Sequence, residues 1–384
     1  MRMSSILHPL HSPYSLLFLT LILSIHGRGS PAAAAPYASI FSFGDSLTDT
    51  GNLFRLSGAG DCGLPPYGET YFHRPTGRCC DGRLVIDFIA KAMGIPTPTP
   101  YLEALESDGS RWGGINFAVA GATALDEEFL KERGIVNLTA NISLGSQIGW
   151  FKQVMPTICS NLTNCKDILS RSLFLMGEIG GNDYNYAFMQ GMNLDKTRTL
   201  VPLVIDVIRS AIEMVIEHGA TMIVVPGDLP LGCLPVYLAM FKSLNVKDYD
   251  DLTGCVNWLN EFSEYHNGML RMELDRLQQL HPEARIVYAD YYGITMRFYR
   301  SPNEFGFGDR VLTACCGTGG PYNHNTSGNS AEDGTMACGD PSRYASWDGL
   351  HLTEAAYRLI ADALLEGPYA VLPLALTSHT MQEE

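Results

Sequence analysis

The chain predicts an α/β protein, a three-layer α/β/α sandwich around a central five-stranded parallel sheet. Three observations carry that expectation. Five apolar runs of strand length recur along the chain, long helical patterns fill the spaces between them, and the runs are continuous rather than alternating. Continuous apolar strands are covered on both faces, and strand–helix alternation builds a parallel sheet. The runs are Ala38 to Phe43, Ile115 to Ala120, Ser172 to Met176, Thr221 to Val225 and Arg285 to Ala289. The helical patterns cover Thr197 to His218, Val256 to Leu280 and Glu354 to Leu365. Two stretches rich in Gly, Pro and polar residues, Ser57 to Thr76 and Phe305 to Ser342, read as long loops. Loops of that length in a compact domain usually shape a site.

The 384 residues carry 26 basic and 41 acidic side chains, a formal net charge of −15. That sign argues against nucleic acid as a partner. Residues 1–35 read as a secretory signal peptide: Arg2, the apolar run Ser15 to Ile25, then small residues ending in Ala32 to Ala35. The run is too short to span a bilayer comfortably, and the later run Val201 to Ile216 contains Asp206, Arg209 and Glu213. Stable membrane insertion is therefore not expected, and residues 36–384 read as one domain. Ten cysteines, all beyond the signal segment, fit disulfides in an oxidising compartment. Cys159–Cys165, Cys233–Cys255 and Cys316–Cys338 are candidate pairs, although pairing is not readable from sequence. Adjacent Cys79-Cys80 and Cys315-Cys316 lack the spacing of zinc ligands. Sequons at Asn137, Asn141, Asn161 and Asn325 point to the same secretory route, with the extracellular space, the cell wall or the vacuole as destinations.

Three strand ends carry turns suited to chemistry: Gly44-Asp45-Ser46 after the first run, Gly121 after the second, and Gly180-Gly181-Asn182 after the third. In an open parallel sheet these ends share one edge, where ligands bind. Asp348 and His351 precede the last helix and can return to that edge. Each signal alone is equally a plain turn or a helix cap; together and in order they make one catalytic site. A serine hydroxyl needs a neighbouring base, a neutral imidazole is such a base near pH 7, and a carboxylate fixes the imidazole tautomer. Ser46, His351 and Asp348 fit these roles. The backbone N–H groups of Ser46 and Gly121 and the side-chain amide of Asn182 are candidate donors to an oxyanion. Asp49 and Asn52 read as ordering the helix start, and Asp183 as supporting the Asn182 turn.

Gly44-Asp45-Ser46-Leu47, Gly121 within NFAVAGAT, Gly180-x-Asn182-Asp183 and Asp348-x-x-His351 resemble, in order, the four blocks of the GDSL, or SGNH, hydrolases. The resemblance runs from about Ser39 to Leu365. It implies a flavodoxin-like α/β/α sandwich, an acyl-enzyme mechanism, oxyanion donors at Ser46, Gly121 and Asn182, and no metal or organic cofactor. FSFGDSLTDTGN, PYGETYFHRPTGRCCDGRLVIDF, VPGDLPLGCLP and CCGTGGPYN resemble the plant branch, and the pattern is most similar to acetylajmalan-esterase-like members. That likeness implies acetyl or other short acyl esters of plant metabolites or of cell-wall polysaccharide as substrate. Ala120 departs from the glycine that many plant members carry, which implies a changed pocket wall. Neither Gly-x-Ser-x-Gly nor His-Glu-x-x-His occurs, which removes an α/β-hydrolase elbow and a zinc protease site. An acyltransferase using the same site, or a catalytically silent carbohydrate-binding protein on the same scaffold, remain alternatives.

Overall fold

The computed structural model describes residues 37–58, 61–106, 113–159, 161–325 and 337–370. The expected signal peptide lies outside these residues. The strands are β1 (Ser39–Phe43), β2 (Thr99–Pro100), β3 (Gly114–Asn116), β4 (Ser172–Met176), β5 (Met222–Pro226) and β6 (Arg285–Ala289). They form one sheet in the order β2-β3-β1-β4-β5-β6, with every pairing parallel. The sheet thus has six strands, which corrects the expected five. The extra strand, β2, has two residues and lies at the edge, paired through Thr99 with Ile115 and Pro100 with Asn116. A two-residue strand ending in proline leaves no apolar run to read, and proline, which lacks a backbone donor, belongs at an edge. The second expected strand also shortens, because the chain leaves the sheet at Phe117 to form the loop holding Gly121.

Alternate residues of the central strands enter two separate cores, as the two-residue period of a strand requires. Phe41 and Phe43 of β1, Phe174 and Met176 of β4, and Ile223 and Val225 of β5 face one core. Ile40, Leu173, Leu175, Met222 and Val224 face the other. The helices that position the site are α1 (Asn52–Ser57), α2 (Val85–Ala92), α3 (Leu144–Ile158), α4 (Gly181–Met189), α5 (Val201–His218), α6 (Asn257–Leu280), α7 (Tyr291–Arg300) and α8 (Glu354–Glu366). The first core takes its helical side from α3, α4, α5 and α6, through residues such as Phe151, Tyr184, Ile212 and Phe262. The second takes it from α2, α7 and α8, through Ile89, Ile294 and Ile360. Both sheet faces are therefore covered, and the architecture is α/β/α. Phe151 meets Phe41, Phe43, Phe117 and Phe174 at ring-centroid distances of 5.9–6.0 Å. Truncating such a ring typically costs about 3–5 kcal/mol.

Helix boundaries follow local chemistry. Ser143 accepts the Ser146 N–H at the start of α3, and Thr353 accepts the Ala356 N–H at the start of α8. Helix α5 starts at Val201, later than the expected Thr197, because a short helix, Leu194–Arg198, ends before it and Pro202 suits a first turn. Among the described residues, four disulfides join Cys62–Cys79, Cys159–Cys165, Cys233–Cys255 and Cys315–Cys338. The first was not anticipated, and the last corrects the expected Cys316–Cys338. Cys315 and Cys316 donate their N–H groups to Ser346 and Trp347 in succession. Cys80 and Cys316 remain free and buried.

Candidate active site

Strand β1 lies between β3 and β4, so the chain diverges to its two sides and a crevice opens at its carboxyl end. The Gly44-Asp45-Ser46 turn sits in that crevice. Gly44 has φ +134° and packs so close to β4 that a Cβ would stand 2.9 Å from the Glu178 carbonyl oxygen. Only glycine fits there. The Gln147 side chain clamps this residue, accepting the Gly44 N–H at 2.9 Å and donating to its carbonyl at 2.8 Å. Asp45 accepts the Leu47 N–H, and its own N–H donates to the Glu178 carbonyl. Ser46 is held at the mouth of this rigid turn, and its N–H has no partner among the described residues.

Asp49 orders the following helix as expected, accepting the N–H groups of Gly51, Asn52 and Leu53. It also accepts the Ala120 N–H at 2.9 Å, which ties the serine block to the Gly121 loop. Asn52 adds two bonds to the carbonyls of Asn116 and Ala118. Ala120 is thus buried beside Asp49 and does not line the cleft at Ser46. Gly121 has φ +80°, and its N–H, like that of Ser46, has no partner among the described residues. Asp183 reaches farther than its own turn: it accepts the N–H groups of Ala124 and Leu125 at 2.8 and 2.9 Å. Burial nevertheless raises its pKa to about 7, against the pull of those two bonds. Asn182 lies beside Ser46 in the cleft. Its amide donates to Asp45 Oδ2 and to the Ala122 carbonyl, both at 3.0 Å.

Asp348 and His351 come to the same place from 300 residues downstream. His351 Nε2 lies 2.8 Å from Ser46 Oγ, and His351 Nδ1 lies 2.6 Å from Asp348 Oδ2. Asp348 Oδ1 accepts the N–H groups of Leu350 and His351, and Oδ2 also accepts the Tyr67 hydroxyl at 2.9 Å. Burial alone would raise the Asp348 pKa, but the His351 ring and these donors outweigh it and hold the carboxyl well below its ordinary range. With Asp348 ionised, Nδ1 carries the ring proton and Nε2 is free to accept from the serine. The loop is latched from outside: the Arg83 guanidinium lies 2.6 Å from Glu354 Oε1, and Asp81 accepts the Glu354 N–H.

The opposite wall of the cleft holds three carboxyl groups, Asp45, Glu178 and Asp228. Burial raises the pKa of each; Glu178 raises Asp45 and Asp228 further, and both stand well above the ordinary value. Asp228 Oδ2 is buried without a partner. Leu229, Leu231, Leu234 and Leu350 complete the lining.

The structure thus brings Ser46, Asp348, His351 and Asn182 together, and places Gly121 on the adjoining loop. Tyr67, Gln147, Glu178 and Asp228 were missed by sequence reasoning. The long loop 57–76 was the one available signal for Tyr67. Of the sequon asparagines, Asn141, Asn161 and Asn325 are exposed and Asn137 is buried. His266, read as a packing residue, is buried against the Tyr184 hydroxyl, and burial lowers its pKa to about 4. Among the described residues, no helix is long and apolar enough to cross a membrane.

Comparison with known proteins shows a family. The profile described as GDSL-like Lipase/Acylhydrolase matches residues 40–364. A GDSL esterase/lipase of Arabidopsis thaliana is 48% identical over 95% of this chain and 92% of its own length. Two further Arabidopsis proteins of that description are 50% and 49% identical, each over 88% of this chain and 87% of their own.

Proposed function

Because the chain belongs to the GDSL-like lipase/acylhydrolase family and is a carboxylic ester hydrolase, we propose that it works through an acyl-Ser46 intermediate with His351 as general base. The observation that carries the proposal is the Ser46–His351–Asp348 relay, with contacts of 2.8 and 2.6 Å. In the first half-reaction Ser46 Oγ attacks the ester carbonyl carbon while its proton passes to His351 Nε2. Asp348 stabilises the imidazolium without taking a proton. The tetrahedral oxyanion is met by the N–H groups of Ser46 and Gly121, with Asn182 beside them. Collapse breaks the bond to the alkoxy oxygen, which leaves with the proton from His351. Water then repeats the sequence on the acyl carbon, giving up its proton to His351, and the carboxylic acid departs as Ser46 recovers its proton.

The substrates in this reading are acetyl or other short acyl esters of a plant metabolite or a wall polysaccharide. Polar Glu178, Asp228 and Asn185 on the cleft lining disfavour a long apolar chain. Four disulfides fit passage through the secretory route, with residues 1–35 as the signal peptide. The test uses 4-nitrophenyl esters of increasing chain length. Turnover should be fastest for acetyl to butyryl, and Ser46→Ala should remove nearly all of it while leaving the fold intact. A fluorophosphonate should label Ser46 in the parent and nothing in the variant. Retained activity in Ser46→Ala overturns the assignment.

A further inference from the structure

Gly121 is left-handed and glycine-bound for two reasons: its φ of +80°, and a Cβ that would meet Thr139 Cβ at 2.5 Å. Something must hold the chain in that conformation. The Gly121 carbonyl accepts two side-chain donors, Asn137 Nδ2 at 3.1 Å and the Tyr186 hydroxyl at 3.0 Å. Tyr186 also meets the Thr139 hydroxyl at 3.1 Å. Asn137 is fully used. Its second amide hydrogen goes to the Ala140 carbonyl, and its Oδ1 accepts the N–H groups of Thr139 and Ala140. The side chain is 9% exposed although Val136 and Leu138 on either side are 45% and 67% exposed. A surface loop has turned one asparagine inward to grip the carbonyl of one glycine.

The same three residues, Asn137-Leu138-Thr139, spell an N-glycosylation sequon. Attachment of a glycan replaces one N–H of the asparagine amide by a bond to a sugar carbon. Only one hydrogen then remains for two acceptors, and a bulky chain grows from a buried atom. Either the Gly121 or the Ala140 carbonyl must lose its donor, and the loop must open to let the sugar out. Asn141, four residues on, is exposed and carries no such conflict.

We propose that Asn137, with Tyr186, is a positioning residue that fixes Gly121 for oxyanion binding, and that a glycan on Asn137 and ester hydrolysis exclude one another. The proposal rests on Gly121 serving as an oxyanion donor. The sequon is a place where secretory processing can switch the site off, one molecule at a time. Active protein carries its glycans elsewhere, and any chain modified at Asn137 is inactive.

The experiment has two arms, both on the secreted full chain. In the first, active enzyme is captured through fluorophosphonate labelling of Ser46, and glycosylation is mapped by peptide mass spectrometry. Asn137 should be unmodified in the captured fraction, and any Asn137 glycoform should stay in the unlabelled fraction. In the second, Tyr186→Phe and Asn137→Asp are compared with the parent on 4-nitrophenyl acetate and for inhibition by an arylboronic acid, which mimics the tetrahedral adduct. Each variant should lose about ten- to a hundredfold in kcat, less than deletion of a whole donor typically takes away. Boronate affinity should fall in parallel with kcat while KM changes less than threefold. A merely structural role would lower thermal stability and leave kcat and boronate affinity of the folded protein alone. If Asn137→Asp does not fold, Tyr186→Phe decides, because it removes a single hydroxyl. Parent-like kcat in a folded variant, or a full glycan on Asn137 in labelled enzyme, overturns the proposal. Ser46→Ala keeps the outcomes apart: activity lost there but retained in the Tyr186 and Asn137 variants rejects this inference and leaves the acyl-Ser46 reading standing.

Discussion

Two walls of one cleft treat buried carboxyl groups in opposite ways. On one wall, Asp348 meets the His351 ring, the Tyr67 hydroxyl and two backbone N–H groups, and is held ionised. On the other, Asp45, Glu178 and Asp228 face each other, and burial pushes all three toward the neutral form. The burial is nearly equal, with Asp348 at 7% exposure and the other three at 3–4%. Depth therefore does not decide which carboxyl carries charge; the neighbouring group does, the His351 ring beside Asp348 and the Glu178 carboxyl beside Asp45 and Asp228. In the proposed mechanism, one wall stabilises a cation on His351, and the other avoids adding a competing negative charge beside the oxyanion.

The sharpest way to break the contrast is Asp348→Asn. It keeps the shape but removes the charge and favours the wrong imidazole tautomer, so kcat should fall about 10⁴-fold on 4-nitrophenyl acetate. A loss under tenfold would mean that His351 does not depend on Asp348. Tyr67→Phe is gentler, since it takes away one of four donors. It should reduce kcat three- to tenfold, in line with the net contribution of a single ordinary hydrogen bond, and a parent-like rate would assign Tyr67 to packing.

The third test sets the walls against each other through pH. Asp348, with a depressed folded pKa, adds stability above the unfolded carboxylate value of about 3.9, and that contribution is lost as pH falls through its folded value. The opposing group behaves in reverse. Raised carboxyls give their full contribution below the unfolded value, and it drains as pH rises through the folded values. For Asp183, behind the same cleft, the window closes at about 7. The urea midpoint of the parent should thus decline between pH 5 and pH 8. Asp228→Asn should be more stable than the parent at pH 8, and closer to it at pH 5. An identical pH dependence in the two would show that Asp228 titrates in the folded protein where it does in the unfolded chain, so that burial does not raise it.

Much of the scaffold was legible because each strand of β1, β4, β5 and β6 is a continuous apolar run, and because α6 and α8 begin within a residue of the periodic pattern. Strand β2 was hidden, since Thr99-Pro100 has no hydrophobic period. Three of the four blocks were visible as strand-end turns and the fourth as a turn before the last helix, and their convergence followed from a parallel sheet. What could not be read is whatever depends on a loop folding back. Tyr67 acts from 281 residues before Asp348, Gln147 clamps a glycine 103 residues earlier, and Asn137 looks in sequence like any surface sequon. The choice of Cys315 over Cys316 turns on which way one side chain points where the chain bends. No spacing rule resolves two adjacent positions.

The amide of Asn182 has a consequence for the order of events. Both of its hydrogens are already engaged at rest, by Asp45 and by the carbonyl of Ala122. In the proposed mechanism, a negative oxygen arriving at Ser46 meets two vacant backbone donors first and recruits the third only by exchange. That exchange favours the oxyanion in the proposed mechanism, because burial and the Glu178 carboxyl push Asp45 toward the neutral form, a weaker acceptor than a full charge. Discrimination between a flat ester and its tetrahedral successor is thereby built into a swap of partners: the ground state leaves the amide where it was, and only the transition state draws it away.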